Sequence, residues 1–181
     1  MPVTHAGLSD KIAREAGVRE VLMPLLRDYF RELDRIAEKP PLSDEQYENE
    51  AASALAMSAN FEWTPVYAAT DGGKGKVVGF YAFSRTAPLA ELGVYLAEAY
   101  IVPSERRKGY MRRAISEYVT SKRITALCYV TQKKNTNALH YWARLFKSLG
   151  FTQRNEAYRQ PLPDGFALSG WFMPDAPLRT Y

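Results

Sequence analysis

The feature that most constrains this 181-residue sequence is the stretch Tyr100–Ala114, YIVPSERRKGYMRRA, in which a basic turn joins an apolar segment to an amphipathic one. Backbone amides at the start of a helix have no partner within the helix, and the helix dipole adds about half a positive charge there. The turn supplies Arg106, Arg107 and Lys108, and Gly109 after them permits backbone angles that other residues avoid. This combination is typical of a phosphate-binding site.

Length and composition predict one globular domain spanning residues 1–181, because 46% of the residues are apolar and no apolar run approaches the roughly 20 residues needed to cross a membrane. The amino terminus lacks the design of a secretory signal, and the single cysteine, Cys128, cannot form an internal disulfide. We therefore expect a cytoplasmic protein. The net charge of +4 favours anionic ligands but falls well short of a nucleic-acid-binding tail.

Helical periodicity predicts two helices before residue 60. Apolar residues recur at helical spacing from Val18 to about Glu38, with Pro24 expected near the first turn. Ser43–Gln46 reads as a capping box that starts a second helix, which should end near Met57. Ahead of these, Val3–His5 is interpreted as a short strand, and Ser9 with Asp10 as the cap of a short helix.

Apolar runs separated by turn residues predict the first strands of a sheet. Val66–Thr70 and Val77–Phe83 flank a glycine-rich connection that begins with Asp71, as in a β-hairpin. The next strand, Val94–Val102, is nearly continuously apolar and should be central and buried on both faces. Glu98 is the charged residue in that otherwise apolar strand.

The second half of the chain predicts a strand–helix–strand unit followed by a further helix. Apolar residues at helical spacing from Met111 to Val119 lead into a second buried strand, Ile124–Val130, so a right-handed βαβ crossover is expected. Cys128 lies in that strand and is interpreted as a packing residue rather than a nucleophile. A helix should then begin at Asn135 or Asn137 and end at Gly150. Two more strands are expected, Phe151–Tyr158 and Ser169–Met173, before an irregular tail.

Two motifs in this order resemble the GNAT N-acetyltransferase superfamily. The pattern Ile-x-Pro-x-x-Arg-x-x-Gly-x-Met, which starts at Ile101, is similar to the loop that binds the pyrophosphate of acetyl-coenzyme A in that family, although Met111 stands where a small residue is usual. Asn135-x-x-Ala, followed by an aromatic helix and Leu149-Gly-Phe, resembles the family's helix-then-strand ending. The resemblance implies an α/β (α+β) fold with a mixed, mostly antiparallel twisted sheet, a central βαβ unit and flanking helices.

The resemblance also implies acetyl-coenzyme A as the cofactor. The two strands of the βαβ unit should splay apart, so that free backbone groups pair with the pantetheine arm. The residues that the resemblance places against the cofactor are Ile101 and Val102 for pantetheine, Arg106, Arg107, Lys108, Gly109, Tyr110 and Met111 for the pyrophosphate, and Asn135 at the following helix.

Glu98 is the candidate general base, because a carboxylate in an apolar strand is costly unless it is partnered or functional, and burial raises its pKa. The family tyrosine that protonates the departing thiolate has no counterpart: the matching positions are Trp142, counted from Asn135, and Phe146, counted back from the Gly-Phe ending. Tyr141 is the nearest replacement as acid. His140 is an alternative base, and an exposed helix histidine is the other interpretation.

The resemblance, together with these residues, implies an acetyltransferase that moves an acetyl group from acetyl-coenzyme A to a primary amine of a small molecule or a protein. Met111 and the missing tyrosine keep an alternative open: a protein of this fold with lost or altered acetyl transfer, acting as a binding module or on nucleic acid. Nucleic acid is the less favoured partner, and no membrane association is expected. The sequence leaves open whether the protein forms a homodimer.

Overall fold

The computed structural model describes residues 5–56, 61–70, 73–84, 93–154 and 162–174. Within these ranges four α-helices and six strands alternate in the order ααβββαβαββ. The elements are α1 (His5–Ile36), α2 (Asp44–Ala56), β1 (Glu62–Thr70), β2 (Gly73–Ser84), β3 (Val94–Ile101), α3 (Tyr110–Ser121), β4 (Ala126–Gln132), α4 (Thr136–Ser148), β5 (Thr152–Gln153) and β6 (Phe166–Phe172).

The six strands form one sheet in the order β1-β2-β3-β4-β6-β5. All neighbouring pairs are antiparallel except β3 and β4, which run parallel and are joined through α3. The predicted hairpin, the central position of β3 and the βαβ unit are therefore confirmed. The fold is the mixed, mostly antiparallel α/β arrangement that the sequence predicts.

The helices cover both faces of the sheet. Leu22 and Leu26 of α1 and Leu55 of α2 form one buried cluster with Phe80 of β2 and Tyr100 of β3. The larger cluster, on the other face, is built from α3, α4 and the strands; its buried members include Ile115, Val119, Leu127, Leu145, Phe146 and Trp171. The sheet thus separates an α1/α2 side from an α3/α4 side.

The first helix is longer than predicted. A single helix runs from His5 to Ile36, so Pro24 lies in its interior rather than its first turn, and Ser9 and Asp10 are helical residues rather than the cap of a separate helix. Proline cannot donate to the carbonyl of Glu20 one turn earlier. Both Pro24 and Glu20 are exposed, so water can satisfy that carbonyl. The predicted strand at Val3 lies outside the described residues, but His5 is helical.

Other local predictions are confirmed within a few residues. The capping box closes in both directions, since Ser43 N–H donates to Gln46 Oε1 at 2.8 Å and Gln46 N–H donates to Ser43 Oγ at 3.2 Å. Asn135 is the N-cap of α4. The last strand begins at Phe166, three residues earlier than predicted, and the described part of the strand predicted from Phe151 is Thr152–Gln153. The predicted irregular tail lies mostly outside the described residues.

Candidate active site

A cleft opens where β3 and β4 diverge. The two strands pair over Val94–Leu96 and Leu127–Tyr129, and no pairing between them follows in the described residues, although β3 continues to Ile101 and β4 to Gln132. The cleft has a volume of about 200 Å³ and is lined by 95–99 of β3, 129–132 of β4, and residues of α1, α4 with its N-cap, and β6. This is the splay that the resemblance implies, and it exposes the edges of two parallel strands at their carboxyl ends.

A β-bulge turns Glu98 toward α1. Ala82 of β2 lies opposite Glu98, whereas the next residue, Phe83, lies opposite Leu96, so Ala97 is an extra residue in β3. Side chains alternate between faces along a strand, and one extra residue reverses the alternation. Accordingly Leu96 packs on the α3/α4 side, while Tyr100 packs on the α1/α2 side. Glu98 lies on the face of Tyr100, since both contact the α1 side.

Glu98 receives a hydrogen bond from α1, a contact that the sequence pattern does not predict. The hydroxyl of Tyr29 on α1 donates to Glu98 Oε2. Burial raises the pKa of Glu98 from 4.5 to about 7, and the Tyr29 hydrogen bond acts in the opposite direction, because it stabilises the ionised carboxylate. Among the described residues that line the cleft, Glu98 is the one with a formal charge. A carboxylate with a pKa near neutrality is suited to general base catalysis.

Tyr29 is held by aromatic packing. Its ring lies 5.7 Å from the ring of Phe80, edge to face, and 5.7 Å from that of Tyr100. Burial and the neighbouring Glu98 carboxylate raise the pKa of Tyr29 well above its usual value, so the phenol keeps its proton. The helical periodicity from Val18 to about Glu38 predicts only that Tyr29 lies in an amphipathic helix. The available signal was that a tyrosine on a core-facing stripe needs a partner for its hydroxyl.

The basic turn after β3 has the backbone of an anion-binding loop. Gly109 is the N-cap of α3 with φ of 81°, the left-handed region that glycine adopts readily, and Arg107 has φ of 65°, which is uncommon for a residue with a side chain. The loop delivers the amino end of α3 to the same edge of the sheet as the cleft, because it follows β3 directly. Amides of the first turn of α3 lack partners within the helix.

The three basic residues of the loop have different surroundings. The guanidinium of Arg106 turns back onto the protein: its Nε donates to the carbonyl of Ile101 at 2.9 Å, and its Nη2 pairs with Glu32 on α1. Lys108 pairs with Glu105 at 2.7 Å. Arg107 is exposed. The structure thus distinguishes Arg106, which ties the loop to α1, from Arg107, which extends into solvent.

Met111 points into the core. It is only 7% exposed and belongs to the cluster on the α3/α4 side, and Tyr110 beside it packs partly against the same cluster. The large side chain that departs from the family pattern therefore does not occupy the outer surface of the loop.

The backbone groups at the end of β3 are only partly free for a ligand. Val102 N–H donates to Val78 O at 3.0 Å, and Val102 O accepts from Glu105 N–H at 2.9 Å, so both groups are engaged within the protein. Backbone groups of neighbouring residues in a strand point to opposite sides. Since Val102 N–H points to β2, the backbone groups of Ile101 point toward the cleft side, where its carbonyl accepts from Arg106 Nε at 2.9 Å. Ile101 N–H is therefore the candidate contact for a ligand, and the assignment of Ile101 and Val102 to the pantetheine arm stays a prediction.

The start of α4 forms the opposite wall of the cleft. Asn135 Oδ1 accepts a hydrogen bond from Ala138 N–H at 3.1 Å, which caps the helix, and both residues line the cleft. Trp142, at the position counted from Asn135, also lines the cleft and is 8% exposed, while Phe146 is fully buried and stacks on Trp142 with ring centroids 5.7 Å apart. Neither side chain can protonate a thiolate.

Tyr141 lies away from Glu98. It lines a second depression, between α3 and α4, together with Arg112, Arg144, Leu145 and Ser148. Burial raises the pKa of Tyr141 to about 12, with Arg112 opposing the shift, so the phenol is protonated at neutral pH. The structure does not bring Tyr141 and Glu98 into one cleft, and the assignment of Tyr141 as acid stays a prediction.

The remaining candidates from the sequence lie outside the cleft. His140 is exposed on α4. Cys128 is fully buried, and burial raises its pKa to about 12, which fits a packing residue and not a nucleophile. Among the described residues, no cluster of histidine, cysteine and carboxylates is arranged to hold a metal ion. None of the described helices is long and apolar enough to span a bilayer.

Solved structures with the same fold are acetyltransferases. The chain is 15% identical to an acetyltransferase from Thermus thermophilus, with a TM-score of 0.54 over 84% of this chain and 88% of that one. Tetrahymena GCN5 is 16% identical with a TM-score of 0.50, covering 96% of this chain and 92% of that one. A chimeric spermidine N-acetyltransferase, SpeG from Vibrio cholerae with hSSAT, is 16% identical with a TM-score of 0.50, over 84% and 90%. At these identities the likeness shows the fold.

Most of the chain matches the profile of one protein family. No curated protein sequence is significantly similar to the chain. The profile of the family described as Acetyltransferase (GNAT) family, however, matches residues 20–151, which include α1 from its residue 20 onward, the bulged strand β3, the basic loop and α4. This match covers more than half of the chain. The protein therefore belongs to the GNAT acetyltransferase family.

Proposed function

We propose that the protein transfers an acetyl group from acetyl-coenzyme A to a primary amine of a small molecule or a protein, with Glu98 as the general base. The observation that carries the proposal is the Glu98 carboxyl, which lies in the cleft between the diverging strands with a pKa of about 7. Among the described residues that line that cleft, it is the group suited to take a proton from an amine at neutral pH.

The residues around the cleft fit acetyl-coenzyme A. The unpaired edges of β3 and β4 offer backbone donors and acceptors to an extended, amide-bearing arm, as an added strand would. Arg107 and the amides from Gly109 to Met111 would hold the pyrophosphate, where each charge-assisted hydrogen bond contributes roughly 1.5–3 kcal/mol. Ile101 and Asn135 would lie along the arm. Acetyl-coenzyme A would supply the activated acetyl thioester.

The position of Glu98 accounts for its role in the reaction. A protonated amine cannot attack a carbonyl, so one proton must leave before transfer. The ionised carboxylate accepts that proton directly or through a water molecule, and the apolar wall of the cleft, which includes Leu33, Val130 and Trp142, limits competing solvent. The bulge at Ala97 matters because it aims the carboxyl at the α1 side of the sheet, where an acceptor can approach.

The departing thiolate needs either a proton donor or solvent. Tyr141 is protonated at neutral pH and stands in the groove between α3 and α4, so we keep it as the candidate donor for a ligand that extends into that groove. Tyr141→Phe decides the assignment. A loss of turnover with unchanged cofactor affinity supports the role, and unchanged turnover removes Tyr141 from the mechanism.

The alternative function, a binding module without acetyl transfer, rested on Met111 and on the missing tyrosine. The burial of the Met111 side chain in the core speaks against the first of these objections, because the side chain does not project from the loop. Whether the missing tyrosine abolishes acetyl transfer is decided by an activity assay. Salt-sensitive binding of DNA or RNA in the absence of coenzyme A, with no acetyl transfer, would favour the alternative.

Two measurements on the purified protein test the proposal. Coenzyme A at 100 times its dissociation constant should stabilise the folded state by about 2.7 kcal/mol, which raises the melting temperature by several degrees. Radiolabelled acetyl-coenzyme A should then label at least one amine of a panel of polyamines, amino acids and peptides. Absence of a thermal shift at millimolar coenzyme A would contradict the proposal, and a shift without labelling of any amine would favour the binding module.

A further inference from the structure

Two side chains of helix α1, about one turn apart, contact the cleft and the basic loop. Tyr29 bonds to Glu98, and Glu32 bonds to Arg106 in the basic loop. Residues three apart on a helix lie on the same face. One face of α1 therefore contacts both the carboxyl in the cleft and the loop at its edge, over 69 and 74 residues of sequence.

Tyr29 is fixed on three sides. Its ring contacts Phe30, Phe80 and Tyr100 at centroid distances of 5.4, 5.7 and 5.7 Å, and its side chain also lines the cleft. Aromatic contacts of this kind restrict the two torsions of a tyrosine side chain. The hydroxyl is consequently held at one position relative to β3, and the carboxyl that it contacts is held with it.

We propose that Tyr29 is a positioning residue for Glu98: its hydroxyl holds Oε2 of the carboxylate, which leaves Oε1 to face the acceptor amine. A catalytic role for Tyr29 rests on the proposed function, because it requires Glu98 to be the general base. The hydrogen bond between Tyr29 and Glu98 does not depend on that function, because both residues belong to this chain.

The hydrogen bond has a consequence for ionisation. A donor to a carboxylate stabilises the charged form and lowers the pKa, while burial of Glu98 raises it. Removing the Tyr29 hydroxyl leaves burial unopposed, so the pKa of Glu98 rises further above 7. The other titratable groups around the pair and its neighbour Tyr100, among the described residues, are Asp28, Glu32 and Arg35 on α1, Tyr95 and Tyr100 on β3, Arg106 in the loop and Tyr129 on β4.

Tyr29→Phe tests this role, and Tyr47→Phe is the matched control. Tyr47 is buried and, like Tyr29, donates a phenol hydrogen bond to a carboxylate, Asp34 Oδ2 at 3.2 Å; its oxygen also accepts from Leu42 N–H at 3.2 Å, and it lies outside the cleft. Both substitutions remove one hydroxyl and keep the ring. A merely structural role for Tyr29 would make the two variants behave alike.

The primary measurement is the titration of the Glu98 carboxyl by carbon-13 NMR in the cofactor-free protein, with the resonance assigned by its loss in Glu98→Gln. We expect the midpoint to rise by roughly one to two pH units in Tyr29→Phe, and to stay at the wild-type value in Tyr47→Phe. An unchanged midpoint in Tyr29→Phe, with melting temperatures of the two variants lowered alike, would overturn the proposal.

Kinetics supply the second measurement. With an acetylated amine identified, the acidic limb of kcat/KM should move to higher pH by the same amount in Tyr29→Phe, and Tyr29→Phe should have no further effect in the Glu98→Gln background. A full additional loss in the double variant would show that Tyr29 acts independently of Glu98. If the wild type transfers no acetyl group, the proposed function fails, but the NMR titration still decides whether Tyr29 controls Glu98.

Discussion

The two ends of the candidate site use charge in opposite ways. At the α1 end, one carboxyl is placed among apolar and aromatic side chains, and a single phenol hydrogen bond partly offsets the cost of its burial. At the loop end, positive charge is displayed in solvent by exposed residues that include Arg107, Arg112 and Arg113.

This difference indicates where chemistry and binding reside. A buried charge has a perturbed pKa and responds strongly to a neighbouring hydrogen bond. An exposed cation is ionised at all relevant pH values and is screened by salt, with a Debye length of about 8 Å at physiological ionic strength. Substitutions at the α1 end should therefore change turnover and pH dependence, whereas substitutions at the loop end should change affinity and salt dependence.

The largest expected effect is on turnover. Glu98→Gln preserves the shape of the side chain but removes the base, so turnover should fall by about 10²–10⁴-fold while the dissociation constant of coenzyme A stays the same. Initial rates and calorimetric titration measure the two quantities. Glu117→Gln, on the exposed surface of α3, is the matched control and should leave both unchanged. Full activity in Glu98→Gln would remove Glu98 from the mechanism.

The same substitution should change the pH dependence of stability. Burial raises the pKa of Glu98 from 4.5 to about 7, so its contribution to stability is fully present below pH 4.5 and is lost as pH rises through 7. Glu98→Gln should therefore gain stability over wild type between these values, by at most about 3 kcal/mol and less where solvent in the cleft screens the charge. Urea denaturation at pH 5 and pH 8.5 measures the difference. A difference that is equal at the two pH values would contradict the raised pKa.

At the loop end, Arg107 and Arg106 should behave differently. Arg107→Ala should weaken coenzyme A binding by about 10-fold at low salt, less at high salt, with no change in the melting temperature of the free protein. Arg106→Ala should lower that melting temperature, because Arg106 bonds to Glu32 and to the carbonyl of Ile101. Calorimetric titration measures the affinity for coenzyme A, and thermal denaturation measures the melting temperature of each variant. Equal losses of stability in the two variants would contradict the distinction between Arg106, which ties the loop to α1, and Arg107, which extends into solvent.

The smallest expected effect is at Cys128. Its thiol is buried and has a pKa of about 12, so it is neither ionised nor reachable at neutral pH. Cys128→Ala should leave turnover unchanged, and the folded wild type should resist alkylation by iodoacetamide. Loss of activity on alkylation at pH 7 would show instead that the thiol is accessible and close to the site.

Local patterns in the sequence predict most of the fold. The capping box at Ser43, the N-cap at Asn135 and the periodicity of α3 are all short-range signals, and the structure confirms each of them. The length of α1 was not predictable in this way, because Pro24 normally ends or begins a helix. Here its exposed position allows water to replace the missing hydrogen bond.

The candidate site was predictable in its parts but not in its contacts. A carboxylate in an apolar strand identifies Glu98, and a basic strand-to-helix turn identifies the loop. Neither pattern reveals the bulge at Ala97, which depends on the register with β2, nor the bond from Tyr29, which joins residues 69 apart. Met111 shows the same limit, since its burial depends on packing of α3 against the sheet rather than on its spacing from Gly109.

The pH dependence of kcat/KM, compared between wild type and Glu98→Gln with the same amine, tests the role of Glu98 most directly. The comparison removes the titration of the amine itself, which contributes equally to both profiles. We predict that the wild type has an additional acidic limb with a midpoint near pH 7, at the pKa of Glu98, and that the variant lacks it. Profiles of the same shape in the two proteins would contradict the assignment of Glu98 as the general base.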